Sequence, residues 1–185
     1  MLILFILLVI VIVAALWLIG VYNGLVQLRL RVRNGWAQID VQLKRRHDLI
    51  PNLVETAKGY MKFERETIEN VIKARTQATQ ATTVKDKEGA ENFLTGALRS
   101  LFAVVEKYPE LKANQNMMAL QEELTSTENK IAFARQYYND EVTRYNTTVK
   151  SFPTNAVAPV FGFTPEEFFE LKDLSEKEAP KVSFA

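Results

Sequence analysis

Apolar residues fall in two regimes along the chain. Leu2 to Gly20 is a run of almost only Leu, Ile, Val, Phe and Ala without a charged residue, and from Tyr22 onward apolar positions recur every three or four residues among polar ones. The first pattern predicts a membrane-spanning helix of about 28 Å, one hydrocarbon thickness. The second predicts amphipathic helices. Leu25, Leu28, Val32, Trp36, Ile39, Leu43, Ile50, Leu53, Ala57, Tyr60 and Val71 keep helical spacing to about Thr79. Pro51 interrupts them, because a proline inside a helix removes one hydrogen bond and crowds the preceding turn. The apolar phase continues across it, which favours a kink; in the alternative, Asp48 caps a new helix whose first turn tolerates Pro51.

Thr79 to Glu88 lacks a sustained apolar stripe and reads as a connection. Glu91 to Lys107 carries Phe93, Leu94, Leu98, Leu101, Phe102 and Val105, the face of a short helix that Pro109 closes. A second long helix begins near Glu110. Met117, Leu124, Ile131, Tyr138, Tyr145 and Phe152 recur at intervals of seven, with Leu120, Ala134, Val142 and Val149 between them, a stripe that packs against other long helices. Asn155 to Phe163 reads as an extended segment pinned by Phe161 and Phe163. Pro165 to Leu174 reads as a short acidic helix with Phe168, Phe169 and Leu171 on its apolar face, and the remaining tail as loose. The expected fold is all-α: an N-terminal transmembrane helix (1–21) continuing into an elongated antiparallel helical bundle (22–152), with an irregular C-terminal segment (153–185) packed on it.

Charge sharpens the membrane reading. The first charged residue is Arg29, and Arg31, Arg33, Lys44, Arg45 and Arg46 follow it with only Asp40 among them. Positive residues stay cytoplasmic, so the N-terminus is expected outside and the soluble domain in the cytoplasm, with a periplasmic domain as the alternative. Arg29, Arg31, Arg33, Arg45 and Arg46 form a juxtamembrane basic stretch, either a solvated face or one that touches anionic headgroups. A cleaved signal peptide fits less well than an anchor: no basic region precedes the run, the run exceeds a usual signal core, and no clear small-x-small cleavage site follows. The net charge of +1 over 185 residues argues against a dedicated nucleic-acid binder. The absence of cysteine excludes disulfides, thiolate metal sites and a thiol nucleophile.

Chemistry has few footholds. A di-metal carboxylate bundle needs Glu-x-x-His pairs, and the single histidine, His47, belongs to none; it reads as a partly exposed member of the basic helix face. There is no nucleophile elbow or phosphate-cradling glycine loop. The expectation is therefore no catalytic residue, metal, cofactor or small-molecule substrate. Asp40, Lys44, Asp48, Asn52 and Glu55 step along one helical face and can meet Arg135, Asn139 and Asn146 on the last long helix. Such groups serve as an internal network that fixes helix register, or as a polar docking face. Phe161, Phe163, Phe168 and Phe169 cover a helix seam or dock onto a neighbouring copy.

The sequence resembles the LemA family of bacterial membrane-anchored proteins. The resemblance rests on Tyr22-Asn23 and Leu25-Val26, Trp36-Ala37 with Ile39 to Arg46, Asp48 to Glu55, and Lys58-Gly59-Tyr60. It continues through Ala74-Arg75, Tyr108 to Leu111, Glu128 to Ile131, Ala134-Arg135, Tyr138-Asn139, Tyr145-Asn146, Phe152-Pro153 and Gly162-Phe163. It departs at Phe63, where the family pattern leads one to expect histidine before Glu64. The resemblance implies an antiparallel helical bundle on an anchor in the inner membrane and supplies no reaction; gene neighbourhoods in the family suggest a membrane metalloprotease of the HtpX type, a TPM-domain protein or another envelope protein as partner. A non-catalytic scaffold or adaptor that self-assembles is the leading functional expectation. An enzyme with a weak polar site near Asp48, Asn52 and Glu55, or an anionic-lipid or envelope-stress sensor, stands behind it.

Overall fold

The computed structural model describes residues 1–61 and 64–170. Among the described residues the secondary structure is helical, without a strand: α1 (Leu2–Lys58), α2 (Arg65–Gln80), α3 (Val84–Val105), α4 (Pro109–Lys112), α5 (Gln115–Lys150) and α6 (Thr154–Val157), followed by a 3₁₀ turn, Ala158–Phe161. The chain packs as two compact units, one of residues 1–42 and 130–168, the other, over its described residues, of 43–129 and 169–170.

In the first unit, α1 presents Leu25, Val32 and Ile39 to the interior, and α5 presents Ile131, Ala134, Tyr138, Val142, Tyr145 and Val149. These are the positions of the two helical stripes. Gly35 lies against Tyr138, and residues 37–42 of α1 face residues 130–137 of α5, so the two helices run antiparallel. Gly35 suits this close approach: a Cβ there would stand 3.1 Å from the Tyr138 Cα, and the helices would have to part by a few tenths of an ångström. The side chains of residues 2–20 are exposed along the apolar part of α1. α1 is the one helix among the described residues long and apolar enough to cross a membrane.

The second unit holds a larger core, drawn from Ile50, Leu53, Val54 and Ala57 of α1, Ile68, Val71 and Ala74 of α2, Leu94, Leu98 and Leu101 of α3, and Met117 and Leu124 of α5. α1 runs through Pro51 without ending. The proline cannot donate to the carbonyl of His47 one turn back, and Arg75 Nε of α2 donates to that carbonyl at 2.8 Å instead. The helix stops later, at Lys58, where Gly59 follows and Tyr60 and Met61 both donate to the Ala57 carbonyl. Gly59 favours a stop because it loses more backbone entropy in a helix than any other residue.

The connections are shorter than their composition suggests. Only residues 81–83 separate α2 from α3, because Thr83 caps α3: its Oγ1 accepts from the Asp86 N–H at 3.1 Å and donates to Asp86 Oδ2 at 2.6 Å. The second long helix begins at Gln115, not near Glu110. The short α4 precedes it, and Asn114 Oδ1 accepts from the N–H groups of Asn116 and Met117. The heptad stripe is buried from Met117 through Tyr145, but Phe152 lies outside it and is 87% exposed. Residues 155–163 are wound into α6 and the 3₁₀ turn and are not extended, ending on Gly162 at φ 72°. Residues 165–170 are not helical, which corrects the expected acidic helix over the described part of its range. Leu171, the tail beyond it and Phe63 lie outside the described residues.

Candidate functional site

The most charged interior among the described residues lies in the second unit. Arg46 of α1 is 1% exposed and Glu91 of α3 is fully buried. The Arg46 guanidinium donates through Nη2 to Glu91 Oε2, through Nη1 to Glu128 Oε2 of α5 at 2.6 Å, and to Thr95 Oγ1 at 3.3 Å. His47 Nε2 meets the other Glu91 oxygen at 2.7 Å. Burial is the largest single influence on Glu91 and pushes its carboxyl up; the His47 hydrogen bond and the adjacent Arg46 charge together outweigh it and hold the group below the usual carboxylate range. A buried acid in this setting is an ion that clasps α1 to α3. Both of its oxygens are occupied by protein partners and it is sealed from solvent, so it is poorly placed to take a proton from a substrate.

Two sequence expectations are corrected here. Arg46 does not belong to an exposed basic stretch, and His47 is not a partly exposed member of one; both are buried, His47 at 8% exposure. The cause is helical phase. Residue 46 continues the seven-residue series Leu25, Val32, Ile39 and precedes Leu53 in it, and residue 91 stands one such interval before Leu98. The other basic residues stay at the surface. Arg31 and Arg33 are exposed, and Arg45 is exposed and paired with Glu123. Arg29 is half-buried, 3.9 Å from Glu166 and stacked over Phe163 at 6.0 Å.

The polar row on α1 lies on its outer side. Lys44, Asp48, Asn52 and Glu55 are exposed, and Asp40 is half-buried. Lys44 donates to Asp48 at 2.5 Å, a bond that lowers the Asp48 carboxyl pKa, and Glu55 pairs with Lys58 within the same helix. Arg135 and Asn139 are half-buried on α5.

Asn146 is buried, and it makes two bonds to the main chain of one residue: its Oδ1 accepts from the Glu166 N–H at 2.8 Å and its Nδ2 donates to the Glu166 carbonyl at 2.9 Å. Tyr138 donates to the next carbonyl, that of Glu167, at 2.7 Å. Burial and the nearby Glu166 and Glu167 charges push the Tyr138 hydroxyl up to about 12. Of the four phenylalanines, Phe163 and Phe169 are buried, whereas Phe161 and Phe168 keep 42% and 44% of their surface exposed.

Two further features were not visible in the sequence. In the first unit, Ala37, Gln38, Val41 and Gln42 of α1 and Lys130, Phe133, Ala134 and Tyr137 of α5 line an open groove. Val41 and Phe133 are 63% and 73% exposed on it. The α5 stripe identifies the inward residues, and Phe133, one position off that stripe, is the residue whose apolar character has no interior to explain it. At the other end of the same unit, Tyr22 packs edge-on against Phe161 and Phe163, with ring centroids 5.2 and 5.7 Å apart.

Residues 35–184 match the model of the LemA family. Among individual relatives, the chain is similar to Protein LemA of Metamycoplasma hominis, at 28% identity over 76% of this chain and 64% of that protein. It is also similar to Magnetosome protein MamQ 2 of Paramagnetospirillum magneticum, at 24% identity over 82% of this chain and 65% of the relative. Magnetosome protein MamQ of Magnetospirillum gryphiswaldense matches at 22% identity over the same shares. The chain thus spans just under two thirds of the length of these relatives. The family match takes in both the buried Arg46–Glu91 clasp and the Asn146 clamp, and by it this chain belongs to the LemA family.

Proposed function

We propose that the protein is a non-catalytic scaffold or adaptor of the LemA type, held in the bacterial inner membrane by the apolar part of α1 and acting through contacts with other proteins, including copies of itself. The observation that carries this reading is the groove of the first unit, where Val41 and Phe133 stand 63% and 73% exposed beside Tyr137. Large apolar side chains gathered at one exposed place are the usual mark of a protein-binding surface. The charged groups with the strongest mutual contacts support the same reading, because they are used to hold helices together. The basic residues Arg29, Arg31 and Arg33 after the span favour a cytoplasmic soluble domain with the N-terminus outside. A membrane protease of the HtpX type or another envelope protein is a fitting partner alongside self-association.

The test is cross-linking and particle sizing of the full-length protein in mild detergent, with Val41→Glu and Phe133→Glu as variants. The native protein gives assemblies or a co-purified envelope protein, and the variants lose them while keeping their helical content. Monomer alone from the native protein, with no co-purified partner, overturns the reading. Protease accessibility in spheroplasts tests the sidedness separately.

A further inference from the structure

The segment from Ser151 to Pro165 contains no charged residue, and neither does α1 before Arg29. The structure brings these two uncharged stretches together. Tyr22, about 3 Å beyond Gly20 along the helix axis, packs edge-on against Phe161 and Phe163. The first charged residue of α1, Arg29, lies 3.9 Å from Glu166, the first charged residue after the segment. Charge therefore begins at the same level on α1 and on the chain that leaves the segment, while Lys150 at the end of α5 precedes the segment.

On the uncharged side of that level, Phe152 is 87%, Val160 79% and Phe161 42% exposed. The segment also pairs part of its own main chain. Asn155, Ala156, Gly162 and Phe163 donate to carbonyls within residues 151–159, and Pro153 and Pro159 have no N–H to satisfy. Such pairing lowers the cost of leaving water at the interface, because unpaired main-chain groups are costly in an apolar medium. Tyrosine and tryptophan beside the end of a span, as Tyr22 is, prefer the headgroup region, and chain with its apolar side in the acyl boundary binds by buried apolar area.

We infer that residues 152–161 form a second membrane contact, an interfacial turn whose Phe152, Val160 and Phe161 enter the headgroup and acyl boundary of the lipid surface beside α1. This rests on the reading of α1 as an anchor. Asn146 and Tyr138 fasten the chain that follows the turn, through the main chain of Glu166 and Glu167, so the turn is held at the depth that Tyr22 sets. The continuity of the uncharged surface with the span selects lipid as its occupant in preference to a second protein copy.

The native chain has no cysteine, so single-cysteine variants of the full-length protein can carry a polarity-sensitive fluorophore in liposomes that contain lipid brominated near the headgroup end of the acyl chain. Leu8→Cys reports the span, Phe152→Cys and Val160→Cys report the turn, and Gln77→Cys, at an exposed position of α2, serves as the water-exposed reference. The expected result is blue-shifted emission at positions 152 and 160, with quenching several-fold stronger than at 77, together with an apolar environment at position 8. An apolar environment at 8 with 152 and 160 as unquenched as 77 overturns the inference and leaves the anchor standing. Water exposure at all four positions removes the anchor reading itself. Lipid-insensitive labels at 152 and 160 that transfer energy between differently labelled copies assign the turn to a protein interface and overturn the inference. Phe152 and Val160 are mostly exposed, and unchanged helical content of both variants confirms that the labels report on the native fold.

Discussion

The main-chain carbonyl of His47 accepts a hydrogen bond from Arg75 Nε at 2.8 Å, at the one place in α1 where the residue a turn later, Pro51, has no N–H to give it. The bond joins α1 to α2 and satisfies the acceptor that the proline leaves open. This explains why α1 passes through Pro51 and ends only at Lys58.

Arg75 and Pro51 are therefore coupled. Arg75→Ala should cost about 1.5–3 kcal/mol, the range for a hydrogen bond from a charged group. In a Pro51→Ala background, where the introduced alanine supplies the helical N–H, the cost should fall clearly. Urea unfolding of the four proteins in detergent measures the cycle; equal costs in both backgrounds would disprove the coupling.

The Arg46–Glu91 clasp predicts an asymmetry. Glu91→Gln leaves the buried guanidinium with only the half-exposed Glu128 as a charged partner and should destabilise by about 3 kcal/mol, whereas the joint replacement Arg46→Met with Glu91→Leu should cost less, because the buried charge is removed together with its partner. A double variant no more stable than Glu91→Gln would argue that the charges themselves are needed for packing.

The same carboxyl gives a pH dependence. Its value in the folded protein lies below the ordinary 4.5, so its contribution is present above that value and is lost as pH falls through the depressed one. Acid unfolding of the native protein should steepen below about pH 4.5, and Glu91→Gln should remove that part of the slope. An unchanged acid limb in the variant would assign it to other carboxylates.

The residues of this clasp show how far the sequence could be read. Periodicity alone placed the interior of α1 and most of that of α5, since Leu25, Val32, Ile39, Met117, Ile131 and Tyr145 all fall where helical phase puts them. The same phase places residues 46 and 91 inside. Their charge argues for the surface, and the two arguments are reconciled only by a partner on another helix, which no local pattern reveals. The C-terminal segment was illegible for a related reason. Its path is held by Asn146 and Tyr138 acting on main-chain groups distant in sequence, and main-chain recognition leaves no trace in residue type.

Tyr138 carries the alkaline counterpart. Its hydroxyl is raised from 10.0 to about 12, so the folded protein holds that proton more tightly than the unfolded chain. The contribution is complete below pH 10 and declines as pH rises toward 12. Tyr138→Phe should flatten the alkaline limb and lose about 0.5–1.5 kcal/mol at neutral pH with the bond to Glu167. Thermal melts from about pH 8 to 12 read both effects, and an alkaline limb identical to that of the native protein would exclude Tyr138 as its source.

Gly35 sets the spacing of α1 and α5 in the first unit. Alanine favours a helix by about 1 kcal/mol over glycine, yet its methyl would stand 3.1 Å from the Tyr138 Cα, a main-chain atom that cannot rotate aside. Gly35→Ala should therefore gain none of that advantage, and Gly35→Leu should be strongly destabilising. A Gly35→Ala protein more stable than native by that full amount would show that the helices can separate without loss.

Asn146 grips residue 166 by its amide and carbonyl alone, as a neighbouring β-strand would, and the side chain at 166 adds only a half-exposed ion pair with Arg29. Mutational tolerance at the two ends of this clamp must then be lopsided. Position 166 is free to drift among residues that keep an N–H, while position 146 is frozen, since aspartate brings no donor, serine cannot span both groups and glutamine overshoots by a methylene.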